Sequence, residues 1–236
     1  MAGFLLAGSV RFGESVGSEV FFHVGEAEKC EVQPQSELKN LLSRQEGTYG
    51  QVISSVALPK ETEISITLRD LVRQNLATAF LGEDSDINLS GGTVTQAVIL
   101  RHNVDVVLKH HNLSTLSIDG ATEGTDYLVN LRHGFVKALP GGSIADKSEK
   151  SIIYTYADLH GFKIKGAIKN AITVPVLLTG TNLTTNATVR FLAYQAILSP
   201  SSPIDFLSEE FAKIELKGTL QIPEGQDSPF EYIEIS

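Results

Sequence analysis

Residues Ala212, Ile214, Leu216, Gly218, Leu220 and Ile222 alternate strictly with Lys213, Glu215, Lys217, Thr219 and Gln221. A period of two places every apolar side chain on one face of an extended chain and every polar one on the other. The pattern predicts a long antiparallel strand with one dry and one wet face. A chain that carries such a strand must supply partner strands for its backbone and an apolar layer for its dry face.

Shorter patterns of the same kind occur in "EISITL" (63 to 68), "TQAVILR" (95 to 101), "VDVVLK" (104 to 109), "DYLVNL" (126 to 131), "SIIYTYA" (151 to 157), "VPVLLTG" (174 to 180) and "ATVRFLAYQAIL" (187 to 198). Pro175 lacks an N–H and therefore predicts an edge or a strand start for its segment. Turn-forming clusters such as "LPGGS" (139 to 143) and "LSPSSP" (198 to 203) punctuate the runs at the spacing of a sandwich or rolled barrel. Strands with one helix among them do not have the βαβ rhythm of a nucleotide-binding fold. The expectation is a mainly β chain, a rolled antiparallel β-sandwich or barrel with one flanking helix. With 236 residues and no break in composition, it reads as a single domain over residues 1 to 236.

The helix is expected at about residues 67 to 81, within "SITLRDLVRQNLATAFLG". At 100° per residue, Leu68, Leu71, Val72, Leu76, Ala79 and Phe80 share half of the circumference. Thr67 and Asp70 have capping-box spacing, and Gly82 can supply the left-handed residue after the last turn. Such a helix plugs an open end or face of the sheet. Asn75 lies inside the apolar arc and needs partners if buried, from a loop backbone or from another subunit. Leu81 lies outside the arc, where it can meet another chain.

Residues 31 to 51, "EVQPQSELKNLLSRQEGTYGQ", read as a long polar loop. A connection of that length inside a compact domain is either functional or disordered. It reads equally as a mobile surface loop and as an arm that orders on contact with another chain. A short helical turn over "SELKNLLSR" is a further reading, since Leu38, Leu41 and Leu42 share a face.

A formal charge of -9 argues against sequence-independent nucleic-acid binding, which needs clustered Lys and Arg. A lone Cys30 makes no internal disulfide and points to a reducing compartment or a particle assembled inside a cell. The start, "MAGFLLAGSVRFGES", has no basic n-region, and no run approaches a membrane span, so no membrane insertion is expected. The sequons at Asn88, Asn112, Asn182 and Asn186 matter only in a secretory pathway.

A search for chemistry yields no catalytic constellation, and the chain reads as a non-enzyme without cofactors. His110 and His111 are adjacent, so a strand points their rings to opposite faces and they do not share a metal ion. His23, His102, His133 and His160 have no ligand-spaced partners and read as solvated or hydrogen-bonded. "GTYGQ" and "PGGSIAD" lack the Walker lysine and the Gly-x-Gly-x-x-Gly spacing, and read as turns. Cys30 sits in "EKCEV", with acidic neighbours Glu28 and Glu31 that disfavour its thiolate. Glu83, Asp84 and Asp86 form an acidic turn, better read as solvated than as a cation site.

The stretch from Ser43 to Gly82, "SRQEGTYGQVISSVALPKETEISITLRDLVRQNLATAFLG", resembles the major tail tube proteins of long-tailed (siphovirus-type) bacteriophages. Shared in order are a "Ser-Arg…Thr-Tyr-Gly-Gln" loop, an "Glu-Ile-Ser-Ile" strand and a helix ending in "Asn-Leu-Ala-x-Ala-x-Leu-Gly". "GTDYLVNLRHGFVKAL" with "GGSI" (124 to 144) and "FLSEEFAKIELKGTLQI" (206 to 222) resemble later strands of the same family. Gln74 before Asn75 departs from the family's acidic "Asp-x-x-x-Arg-Glu-Asn" helix start.

The resemblance implies a structural virion protein that assembles into hexameric rings stacked into a tail tube, through whose lumen DNA is ejected without specific binding. It implies contacts with copies of itself and with tape measure, tail terminator and tail-tip proteins. It also implies a location in the virion tail, and in the host cytoplasm during assembly. Ser43, Arg44, Thr48, Tyr49, Gln51, Asn75 and Leu81 are the interface candidates, with the 31 to 51 segment as a stacking arm. Like-charged walls would keep DNA from adhering. The alternatives are a tube subunit of a related bacterial secretion or injection system, and a monomeric β-sandwich binding module.

Overall fold

The computed structural model describes residues 4–209 and 211–235. The chain is mainly β, with antiparallel sheets and one short helix. It divides into two compact units: one holds the residues up to Asp84 and those from Ile164 onward, the other Ser85–Lys163. The first unit begins with β1 (Leu6–Gly13), β2 (Phe21–His23), β3 (Ala27–Gln33), β4 (Ser36–Leu42), β5 (Val52–Pro59), β6 (Thr62–Leu68) and the helix α1 (Arg73–Ala79). β7 (Glu83–Leu89) leads into the second unit, with β8 (Gly92–Leu100), β9 (Val106–Val107), β10 (Leu113–Ile118), β11 (Tyr127–Asn130), β12 (Phe135–Ala138) and β13 (Ser148–Tyr156). β14 (Leu159–Lys165) leads back to β15 (Ile172–Asn182), β16 (Ala187–Pro200), β17 (Ile214–Leu220) and β18 (Phe230–Ile235).

The first unit is built on one sheet in the order β2-β1-β15-β16-β17-β6-β3, with β18 also pairing β16. Laid flat, seven strands at about 4.8 Å spacing would put the outer two roughly 29 Å apart. Yet β2 ends at His23 and β3 begins at Ala27, and four Cα steps of ~3.8 Å reach at most ~15 Å. The sheet therefore rolls until its edges approach. No ladder joins β2 to β3 among the described residues, so the roll stays open and is not a closed barrel.

The roll lets both halves of the sheet bury one face. Val10, Phe12, Val174 and Val176 pack into the same core as Ile64, Ile66, Leu68, Ile214 and Leu216. β16 serves both halves, pairing Thr188–Ala193 with β18 and Ala196–Pro200 with β17. The alternation in β17 is as the sequence predicts: Ile214, Leu216 and Leu220 are buried while Glu215 and Lys217 are exposed. Gly218 is required there, because a Cβ would lie 1.7 Å from the Ile197 carbonyl oxygen.

Pro175 is not at an edge or a strand start. β15 lies between β1 and β16, and the ladder shifts register between Val174 and Val176. The bulge absorbs the missing N–H, the other setting in which a sheet tolerates proline.

The helix is shorter than expected. Thr67 and Leu68 belong to β6, where they pair with Glu215 and Ile214, so the period-two pattern continues through the predicted helix start. Val72 is the N-cap and makes no side-chain cap, while Asp70 instead accepts a 2.9 Å bond from the Glu26 amide. Leu71 and Val72 are exposed, and Asn75 and Ala77 form the buried face. At the other end the Gly82 amide bonds the Ala77 carbonyl and the Leu81 amide bonds the Thr78 carbonyl, the Schellman pattern. Its left-handed residue is Leu81, with φ 48°, and not Gly82. Gly82 is needed for a different reason: a Cβ would meet the Lys165 carbonyl oxygen at 2.4 Å.

In the second unit, β10-β13-β8 and β11-β12-β9 form two three-stranded sheets. Leu100, Leu113, Ile118, Ile152 and Tyr154 from the first pack against Tyr127, Val136 and Ala138 from the second, a small two-layer core. The expected strand at 104 to 109 contracts to Val106–Val107. The chain enters and leaves along β7 and β14, which pair as a two-stranded ribbon.

Candidate assembly surface

Much of the 31 to 51 segment is strand and not loop or helical turn, and the turn that remains, 43 to 51, joins the two strands of a hairpin. The segment's first residues close β3, and Ser36–Leu42 and Val52–Pro59 pair as the antiparallel hairpin β4–β5. This hairpin prolongs the β3–β6 pair outward. Gln33 pairs with Glu63, the Lys60 amide bonds the Gln35 carbonyl at 2.9 Å, and Ser36 pairs with Pro59. Seven residues at ~3.3 Å each give a ribbon about 23 Å long.

Every residue of both strands is exposed. Cross-strand partners share a face, so one face carries Leu38 with Ala57 and Leu42 with Val52, and the other carries Val56, Leu58 and Leu41. Ile53 is the extra residue at the register shift. Leu38 is 65% exposed, Leu41 63% and Ile53 64%. An isolated two-stranded hairpin is marginal in water, and these apolar side chains, interspersed with Glu37, Lys39, Asn40, Ser54 and Ser55, stand exposed on it.

The tip is ordered by its own bonds. Ser43 is buried, with its hydroxyl 2.6 Å from that of Thr48. Its amide donates to the Gln51 carbonyl at 2.7 Å, and its carbonyl accepts from Gly50 at 2.9 Å. Gly50 takes φ 82°, which closes the turn. Ser43, Thr48 and Gln51 thus hold the tip, while Arg44, Glu46 and Tyr49 project into solvent. The sequence candidates Ser43, Arg44, Thr48, Tyr49 and Gln51 all lie in this tip. The apolar residues of the strands were missed; the readable signal was the β-branched segment "VISSVALP" directly after the "GTYG" turn.

Asn75 and Leu81 lie elsewhere. The Asn75 amide nitrogen donates to the Val24 carbonyl at 2.7 Å and to the Asp70 carbonyl at 2.8 Å, so loop backbone supplies its partners. The half-buried Leu81 has its carbonyl bonded by the amides of Ile168 and Lys169. Beside it, Phe80 stacks on Phe206 at 5.9 Å, in a segment where Leu207 and Phe211 are also exposed.

Along β3, Glu28 receives Arg69 at 3.1 Å and Lys213 at 2.7 Å, and these cations hold its carboxyl at about 2. Burial pushes the Cys30 thiol up to about 11, with Glu31 adding to the shift. The histidines make separate contacts: His110 stacks on Tyr156 at 4.0 Å and meets the Tyr154 hydroxyl, His102 meets the Ile144 carbonyl, and His160 meets Asn88. Among the described residues, no group of three or more His, Cys, Asp or Glu is placed to hold a metal ion. No helix among them is long and apolar enough to cross a membrane.

The fold and this surface define an antiparallel β chain that carries an exposed two-stranded ribbon with large apolar side chains on each face. It belongs to the family described as "Protein of unknown function UCP028589", whose model matches residues 3–224. No curated protein matches the chain.

Proposed function

We propose that the chain is a structural subunit that self-associates into rings and tubes, in the manner of the major tail tube proteins it resembles. The observation that carries this reading is the β4–β5 ribbon, exposed on both faces and carrying large apolar side chains on each. A segment of its length supplies roughly the 20–30 residues that one side of a standard interface uses. The open roll adds strand edges, β2 and β3, that a partner's strand can complete. In this reading the rings are hexameric, the ribbon is the stacking arm and DNA leaves through the lumen. The acidic charge of the chain suits a conduit that must not hold DNA.

The test is to concentrate the purified protein near neutral pH in moderate salt, and to examine it by negative-stain electron microscopy with light-scattering mass. Rings or hollow tubes are expected. A strict monomer at every concentration and salt overturns the proposal. Replacing residues 36 to 59 with a short Gly-Ser link should leave a folded monomer, because the ribbon ladder ends at the Gln35–Lys60 bond and β3 still pairs β6.

A further inference from the structure

If the ribbon is an arm, some surface must receive it. The first unit carries an open groove of about 990 Å³ on the outward face of β15 and β16, between the turn after β1 and the turn before β18. Its lining includes Phe21, Leu177 and Leu192, with Arg190 beside them and Glu19 and Glu224 also contributing. The volume is at the top of the small-molecule range. The groove is nevertheless open to solvent and its ionic side chains are themselves exposed, which suits a polypeptide better than an enclosed small ligand.

We infer that this groove, on a second copy of the chain, is the acceptor for the tip of the β4–β5 ribbon; the inference rests on the self-assembly reading above. Three observations converge. Both surfaces carry apolar side chains that docking removes further from water: Tyr49 at the tip and Leu42 and Val52 beside it are exposed, and Phe21, Leu177 and Leu192 in the groove are half-buried. Their charges are complementary: the tip offers Arg44 and, two residues on, Glu46, while the groove offers Glu19 and Glu224 with Arg190. The tip is already ordered by the Ser43–Thr48 bond and the Gly50 turn, so little ordering cost falls on binding. Ribbon and groove are different patches of one chain. The contact is therefore heterologous, each copy giving one arm and receiving another, which builds rings or stacks and not closed pairs.

The experiment uses sedimentation velocity over a concentration series, with far-UV circular dichroism to confirm folding. Arg190→Glu and Glu46→Arg should each weaken association by roughly fivefold or more, and the two together in one chain should restore it. A chain blocked by Leu192→Asp, which keeps its arm, should form a complex that stops at one-to-one with the chain lacking residues 36 to 59, which keeps its groove. A second readout is a disulfide between Tyr49→Cys and Glu224→Cys chains, since Cys30, the chain's one cysteine, is half-buried in β3, away from both positions. Growth of the Leu192→Asp chain like wild type, or no restoration in the charge swap, overturns the acceptor while self-assembly stands. A wild-type chain that never grows overturns both.

Discussion

Replacing Asn75 with alanine tests whether this residue serves the fold or an assembly contact. The side chain is 1% exposed and its amide gives two short hydrogen bonds, to the buried Val24 and to Asp70. Alanine removes both donors. Each bond contributes about 1 kcal/mol net, and the buried Val24 carbonyl adds a further cost of about 1–2 kcal/mol for a lost partner. The Asp70 carbonyl is only part-buried and water can replace the donor there. The expected destabilisation is about 2–4 kcal/mol, a fall in Tm on the order of 5–15 °C, read by differential scanning calorimetry on dilute protein. Asn75→Asp sharpens the test. An ionised aspartate here has no donor to give the buried Val24 carbonyl and would hold its charge at a site 1% exposed, so its folded-state pKa is raised. The penalty grows as pH rises above the ordinary carboxylate range and shrinks as acid protonates the group. A dilute-protein Tm within about 2 °C of wild type for Asn75→Ala, with assembly weakened, would refute the reasoning.

Three further outcomes follow from other contacts. Leu81 occupies the left-handed region at φ 48°, so Leu81→Gly should be more stable than Leu81→Ala by about 1 kcal/mol in urea denaturation, the reverse of ordinary helix preference. Gly218→Ala forces a Cβ onto the Ile197 carbonyl and should cost about 3 kcal/mol, the upper end for overpacking, seen as a lowered denaturation midpoint or loss of soluble protein. Glu28 is held at about 2 by Arg69 and then Lys213; its depressed value means that its share of stability is present above the ordinary carboxylate range and lost as pH falls through about 2. Glu28→Gln should therefore flatten the acid side of a stability-against-pH curve, and do so less in high salt.

What could be read in advance depended on burial. β17 and β6 alternate because one face of each meets the core, and the contrast between Ile214, Leu216 and Leu220 and their charged neighbours survives in the sequence. The helix was recognised but started too early, because Leu68 satisfies both a helical arc and the inward face of β6; the pairing with Ile214 decides. The ribbon was missed as strand because neither face is buried, and a two-sided exposed hairpin has no period-two contrast to show. Its leucines, Leu38, Leu41 and Leu42, then matched a helical face by spacing alone. Pro175 misled because a bulge leaves no trace in local sequence. The tip fared better: Ser43, Thr48 and Gly50 are turn chemistry, which is local. Asn75 was recognised as a buried polar group, but only the fold identifies Val24 and Asp70 as its partners.

The order of strands in the first unit also governs the timing of its birth. β1 pairs residue for residue with β15, from Leu6 against Asn182 to Phe12 against Val176, and β6 waits for β17. A ribosome adding about 5–20 residues per second needs roughly 5–20 s to cross the stretch from Leu68 to Ile172. During that interval the second unit, Ser85–Lys163, is complete and can collapse on its own two sheets. The early strands can form only the local β1–β2 and β3–β6 pairs, the second with its ribbon, while β1 still lacks β15 and β6 still lacks β17. Nascent chains of this protein are thus most exposed to mispairing just before β15 emerges, and a chaperone that shields β1 and β6 over those seconds would act at the step most open to aggregation.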